Sequence, residues 1–148
     1  MVFKGSNNRG FTLIELLVVI SIISLLSSVV LSSLNTARVR ARDAKRALSV
    51  RQLKTAIESY YSYTGAYPSV GSDNAGYAIS SLSAVLVPTY MPSIPSDPTT
   101  GAWEYVRGPA TDNSYGLKIY RETTSAYCGT GTNFNSGWWS IGANMCPF

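Results

Sequence analysis

The chain has 148 residues, 14% of them charged and 11% aromatic, which suits one folded domain with an appendage and excludes disorder throughout. It contains no histidine, which excludes His-based acid–base catalysis, His metal sites and Ser–His or Cys–His nucleophile pairs. Two cysteines cannot build a four-thiolate zinc site, and the net charge of +4 comes from one basic stretch rather than a basic surface.

Lys4 and Arg9 lie in the first ten residues, which end at Gly10. From Phe11 to Thr64 there is neither glycine nor proline, whereas all seven prolines fall between Pro68 and Pro147. Such a stretch free of helix breakers predicts one long helix. Leu16 to Ala37 carries no charge, and as a helix it would span ~33 Å, enough to cross a bilayer core. A secretory signal peptide, with cleavage near Ser33 or Ala37, is the alternative reading. Against it stand the length of the run and the helical pattern that continues past it, with Val50, Leu53, Ile57, Tyr60 and Tyr61 at spacings of three and four. Ser21, Ser24, Ser28 and Ser32 share one face of the apolar part, where their hydroxyls can bond back to the helix backbone.

Glu15 lies inside the hydrophobic stretch. A carboxylate there costs roughly 2.5–3.5 kcal/mol on insertion scales. Either it snorkels to the headgroups near the helix start, or it needs a positive partner.

The run Gly10-Phe11-Thr12-Leu13-Ile14-Glu15-Leu16-Leu17-Val18-Val19-Ile20 resembles the leader junction of type IV prepilins and pseudopilins. The resemblance implies that a membrane peptidase cuts between Gly10 and Phe11 and methylates the new amine of Phe11. It also implies that Glu15 attracts the amino terminus of a neighbouring subunit during filament assembly. The family often carries a glycine or proline in this helix, and here there is none.

Residues 38–54 carry seven bases, Arg38, Arg40, Arg42, Lys45, Arg46, Arg51 and Lys54, against Asp43. Counted for membrane orientation, they place the C-terminal side in the cytoplasm; the prepilin reading places it outside, and the motif carries more weight. Such bases could pair with acids of neighbouring subunits. A solvated face or contact with anionic headgroups is the plainer alternative. Nucleic-acid binding is disfavoured, because no aromatics are interleaved with the bases.

The helix is expected to stop at Gly65. Ser80 to Val87 reads as a short helix, Pro88 to Pro98 as an irregular loop, and Trp103 to Arg107 as a strand. Tyr115 to Glu122 alternates as a second strand, with a turn at Gly108-Pro109 and Asp112-Asn113 between the two. Trp138-Trp139-Ser140-Ile141 is expected to form another. The fold expected is α+β: a long N-terminal helix packed on a small antiparallel sheet, pilin-like. Gly65-Ala66-Tyr67-Pro68 and Ile94-Pro95-Ser96-Asp97-Pro98 followed by Trp103-Glu104-Tyr105 resemble the globular domain of the major pseudopilin of type II secretion. Asp97, between prolines, reads by itself as a local turn cap. That pseudopilin usually has an acidic calcium loop near its end. No acid follows Glu122 here, so neither that site nor any other metal or cofactor is expected. Cys128 and Cys146 are expected to form a disulfide if the domain is exported, as in the C-terminal loop of type IV pilins.

The domains expected are a cleaved leader (1–10), a transmembrane or filament-core helix (11–37), its amphipathic continuation (38–64) and a globular domain (65–148). The resemblance implies a non-enzymatic filament subunit of a pilus or secretion pseudopilus. Its partners would be copies of itself and related pilins, the prepilin peptidase and methyltransferase, and a membrane assembly platform. It would sit first in the inner membrane by one span, with the C-terminal domain outside. The alternative is an exported, membrane-anchored binding, adhesion or DNA-capture module that does not polymerise.

Overall fold

The computed structural model describes residues 10–133, 135–139 and 145–147. The chain divides into two compact units, Met1–Arg38 and Val39–Phe148. In the first, the described part is the opening of helix α1, which runs Leu13–Thr64 in all. Every residue from Gly10 to Arg38 is exposed. Ser21, Ser24 and Ser28 donate their hydroxyls to the carbonyls of Leu17, Ile20 and Leu25, so these polar groups are satisfied without a neighbour.

The second unit begins with the rest of α1. Its buried positions are Asp43, Arg46, Val50, Leu53, Ala56 and Ile57, a stripe at helical spacing. The helix ends where expected. Gly65 takes φ 76°, a left-handed conformation that glycine adopts without a Cβ penalty, and its N–H bonds to the Tyr61 carbonyl at 2.8 Å. Strand β1 (Tyr77–Ala78) follows, then a 3-10 turn at Ile79–Leu82 and the four-residue helix α2 (Ser83–Leu86). Strands β2 (Glu104–Arg107), β3 (Tyr115–Arg121) and β4 (Ala126–Thr132) complete an antiparallel sheet in the order β1-β2-β3-β4. This is the pilin-like α+β architecture.

One apolar cluster holds the unit together. Val50, Leu53 and Ile57 from α1 join Leu82 and Leu86, and Tyr105, Tyr115, Leu117 and Ile119 from the sheet. The alternation read for Tyr115, Leu117 and Ile119 is realised, and all three are fully buried. Each fully buried Leu or Ile contributes about 1.5–3 kcal/mol. Polar bonds tie α1 to β4: Lys54 Nζ donates to Thr130 Oγ1, and Thr132 Oγ1 donates to Glu58.

Three readings need correction. Trp138 and Trp139 are not in a strand but in a 3-10 turn, Ser136–Trp139, while Ser140 and Ile141 lie outside the described residues. Strand β4 falls on Ala126–Thr132, where glycine and threonine alternation hides it; it pairs with β3 over seven residues. Gly131 is needed there, because a Cβ would lie 2.0 Å from the Tyr115 carbonyl oxygen. Arg46, read as one of a basic face, is completely buried.

Arg46 is the polar centre of the unit. Its Nε and Nη2 grip Asp97 at 2.7 and 2.8 Å, Nη2 also reaches Thr99 Oγ1, and Nη1 meets Asp43 and Glu122 at 2.8 Å each. Asp97 does cap its turn, accepting from the Thr99 amide, but it also accepts from Trp103 Nε1 at 2.7 Å. Asp43 accepts from the amides of Glu122 and Thr123, in the turn between β3 and β4. Arg42 binds Glu122 through two nitrogens. Burial alone would push the Asp97 carboxyl up, but bonds from Arg46, Thr99 and Trp103 outweigh it and hold it well below the usual range. Asp43 is lowered in the same way: burial opposes, and bonds from Thr123, Glu122 and Arg46 prevail.

Removing the guanidinium strands buried carboxylates, so Arg46→Ala should cost about 3–5 kcal/mol. Thermal and urea unfolding of the chain in mild detergent, with Arg51→Ala as an exposed control, measure this. Both carboxyls titrate lower in the folded chain than in the unfolded one. Their stabilisation is therefore complete above the unfolded pKa of ~4 and is lost as pH falls toward the folded values. Melting temperature should drop on acidification below pH ~5, and Asp97→Asn should flatten that dependence.

Candidate functional site

The first helix begins with a reciprocal capping box. Glu15 Oε2 accepts from the Thr12 amide at 2.8 Å and from Thr12 Oγ1 at 2.7 Å, while the Glu15 amide points back to Thr12 Oγ1 at 3.3 Å. The spacing Thr-x-x-Glu is legible in the sequence as such a box, although the apolar surroundings of Glu15 point first to its depth in a membrane. Both Thr12 donors fall on Oε2. Among the described residues Oε1 accepts no hydrogen bond.

Gly10 and Phe11 precede this box. Phe11 is 89% exposed, and a Cβ built on Gly10 meets nothing within 4 Å, so the peptide between them is unobstructed on the described side. Behind it, Leu13, Ile14, Leu16 and Leu17 open a wholly exposed apolar surface that continues to Leu34. The helix is long and apolar enough to cross a membrane. An exposed apolar area of this extent marks a surface that is covered by lipid or by other chains.

At the other end of the chain, Cys128 and Cys146 form a disulfide with Cα atoms 5.0 Å apart. Cys128 lies on β4, and the Cys146 amide bonds to the Gly129 carbonyl at 2.9 Å, so the C-terminal segment is stapled beside the edge of the sheet. Trp138 lies within the enclosed loop and donates Nε1 to Asn74 Oδ1 at 2.9 Å. Among the described residues no group of three or more His, Cys, Asp or Glu could hold a metal ion.

The disulfide closes a loop across 18 positions. Reducing it, or replacing both cysteines with serine, should lower stability by about 3 kcal/mol. Melting temperatures with and without reductant measure the loss, and a reductant-insensitive transition would contradict it.

Residues 5–31 match the prokaryotic N-terminal methylation motif. The chain is 34% identical over 77 residues to the type IV major pilin protein PilE of Neisseria gonorrhoeae, covering 52% of this chain and 44% of that one. It is 37% identical over 73 residues to a fimbrial protein of Neisseria meningitidis serogroup B, covering 49% of this chain and 42% of the relative. The matched stretch thus spans less than half the length of those pilins. No solved structure matches the chain significantly. The methylation motif at the head of an exposed apolar helix, the helix-on-sheet fold, the C-terminal disulfide and these likenesses make the chain type IV pilin-like.

Proposed function

We propose that this chain is a structural, non-enzymatic subunit of a type IV filament, a pilus or a secretion pseudopilus. The observation that carries the reading is the junction Gly10-Phe11 with Glu15 behind it, set at the head of a helix whose apolar half is exposed on every side. The chain would be held in the inner membrane by that helix with its C-terminal unit outside. It would then be cut after Gly10, methylated on Phe11, and moved into a helical assembly with copies of itself or related pilins. Residues 1–10 act as leader, 11–37 as membrane and filament core, 38–64 as the continuation of the helix, and 65–148 as the globular domain. The disulfide supports export, since such bonds persist in oxidising compartments.

The electrostatics explain why cutting would license assembly. Before the cut, residue 11 has an amide and no charge. Afterward it is a cation at the depth of the Glu15 carboxylate. Glu15 Oε2 is taken by Thr12 of its own chain, and Oε1 is left to receive the amine of an adjacent subunit. Pairing the two removes an isolated charge whose burial would cost several kcal/mol.

Mass spectrometry of the membrane-extracted protein should show loss of the first ten residues and one methyl group on Phe11; an intact leader in filament-forming cells would refute the reading. Gly10→Leu should trap the full-length precursor with its fold unchanged, given the open space at that position. Glu15→Val should insert into the membrane normally yet be absent from sheared filaments, and normal incorporation would remove Glu15 from the mechanism.

A further inference from the structure

Ten lysines and arginines lie among the described residues. Arg42, Arg46, Arg107 and Lys118 form ion pairs within the folded unit. Lys54 and Arg121 bond to threonine hydroxyls. The side chains of Arg38, Arg40, Lys45 and Arg51 are exposed and have no hydrogen bond or ion pair among the described residues.

The acids tell the other half. Asp43, Asp73, Asp97, Glu104 and Glu122 are all in ion pairs. In the folded unit only Glu58 and Asp112 are not, and Glu58 already accepts the hydroxyls of Thr132 and Tyr67. A second copy therefore has too few available carboxylates to neutralise these bases. The anion that complements them must come from elsewhere.

Chain position says where. Arg38, Arg40 and Lys45 follow within eight residues of the uncharged run that ends at Ala37. Long basic side chains reach back toward an interface along their own stems. Basic clusters directly beside a membrane span are drawn to anionic lipid surfaces.

We propose that Arg38, Arg40 and Lys45 bind the phosphates of anionic phospholipids while the chain sits in a bilayer, a contact it surrenders on leaving the membrane. This rests on the membrane-anchored part of the reading above, and not on polymerisation.

The test uses the full chain reconstituted in phosphatidylcholine vesicles containing a minority of phosphatidylglycerol. After gentle detergent extraction and purification, the lipid retained with the protein is quantified by mass spectrometry. Phosphatidylglycerol should be enriched about fivefold or more over the bulk ratio. Arg38→Gln/Arg40→Gln/Lys45→Gln should return it to the bulk ratio, while Arg51→Gln, further along the helix, should leave it enriched. A non-reducing gel confirms that each variant keeps the disulfide. Equal enrichment in the triple variant, or none in the parent chain, overturns the proposal. Salt-sensitive cross-linked dimers in pure phosphatidylcholine that the triple variant abolishes would overturn it in favour of contact between copies. A chain stripped from vesicles by carbonate would overturn it together with the membrane reading, whereas failed filament incorporation with lipid enrichment intact would count only against polymerisation.

Discussion

A buried guanidinium holds the folded unit in register. Arg46 occupies a position on α1 that the helical pattern reserves for an apolar side chain, one turn before Val50. From there it binds Asp97 in the proline-rich loop and Glu122 at the turn between β3 and β4. Two segments of the chain, each 51 or more residues beyond Arg46, are thereby fixed to one point on the helix. A fully buried arginine is tolerable only when its donors are all taken. Here they are, by Asp97, Thr99, Asp43 and Glu122; Asp43 and Asp97 accept further bonds from backbone amides and Trp103, and Glu122 from Arg42. Such a network is directional in a way that apolar contact is not. It specifies the rotation of α1 about its own axis, because a turn of one residue would take Arg46 out of reach of both loops.

The two ends of α1 solve opposite problems. Beyond Val39 the helix buries one stripe against a sheet, and Arg42, Asp43, Arg46, Lys54 and Glu58 are engaged by neighbours in the same unit, while Arg40, Lys45 and Arg51 stay exposed. Before Arg38 it buries nothing, and Ser21, Ser24, Ser28 and Ser33 donate their hydroxyls to its own backbone. Glu15 follows this rule only in part, with one oxygen closing the helix start and the other unoccupied among the described residues. An apolar surface left open, with a carboxylate at its head, is incomplete as a single chain. That incompleteness is the physical content of the filament reading.

The long helix, its end at Gly65 and the buried alternation of β3 were legible because each follows from local rules: absence of breakers, a left-handed cap, a period of two. The junction Gly10-Phe11 and the acid behind it were legible as a motif of adjacent residues. Strand β4 was not, since Gly129, Thr130 and Gly131 present no apolar face and the strand is defined by its pairing with β3. Trp138 and Trp139 misled in the other direction, their bulk suggesting a strand where the chain turns. The role of Arg46 was hidden by its neighbours: among seven bases it looked like one more solvated charge.

The amino-acid sequence by itself determined the division of this protein, one apolar helix headed by an N-terminal methylation motif ahead of a small α+β unit. Periodicity, breaker residues and short motifs act between residues close in the chain, so they can be read without the fold. Only the tertiary structure decided which charges are internal and which are left over. Pairing Arg46 with Asp97, or Arg42 with Glu122, depends on loops 51 and 80 positions away arriving at the same point, and charge balance at that point is a property of three-dimensional proximity that no local pattern encodes.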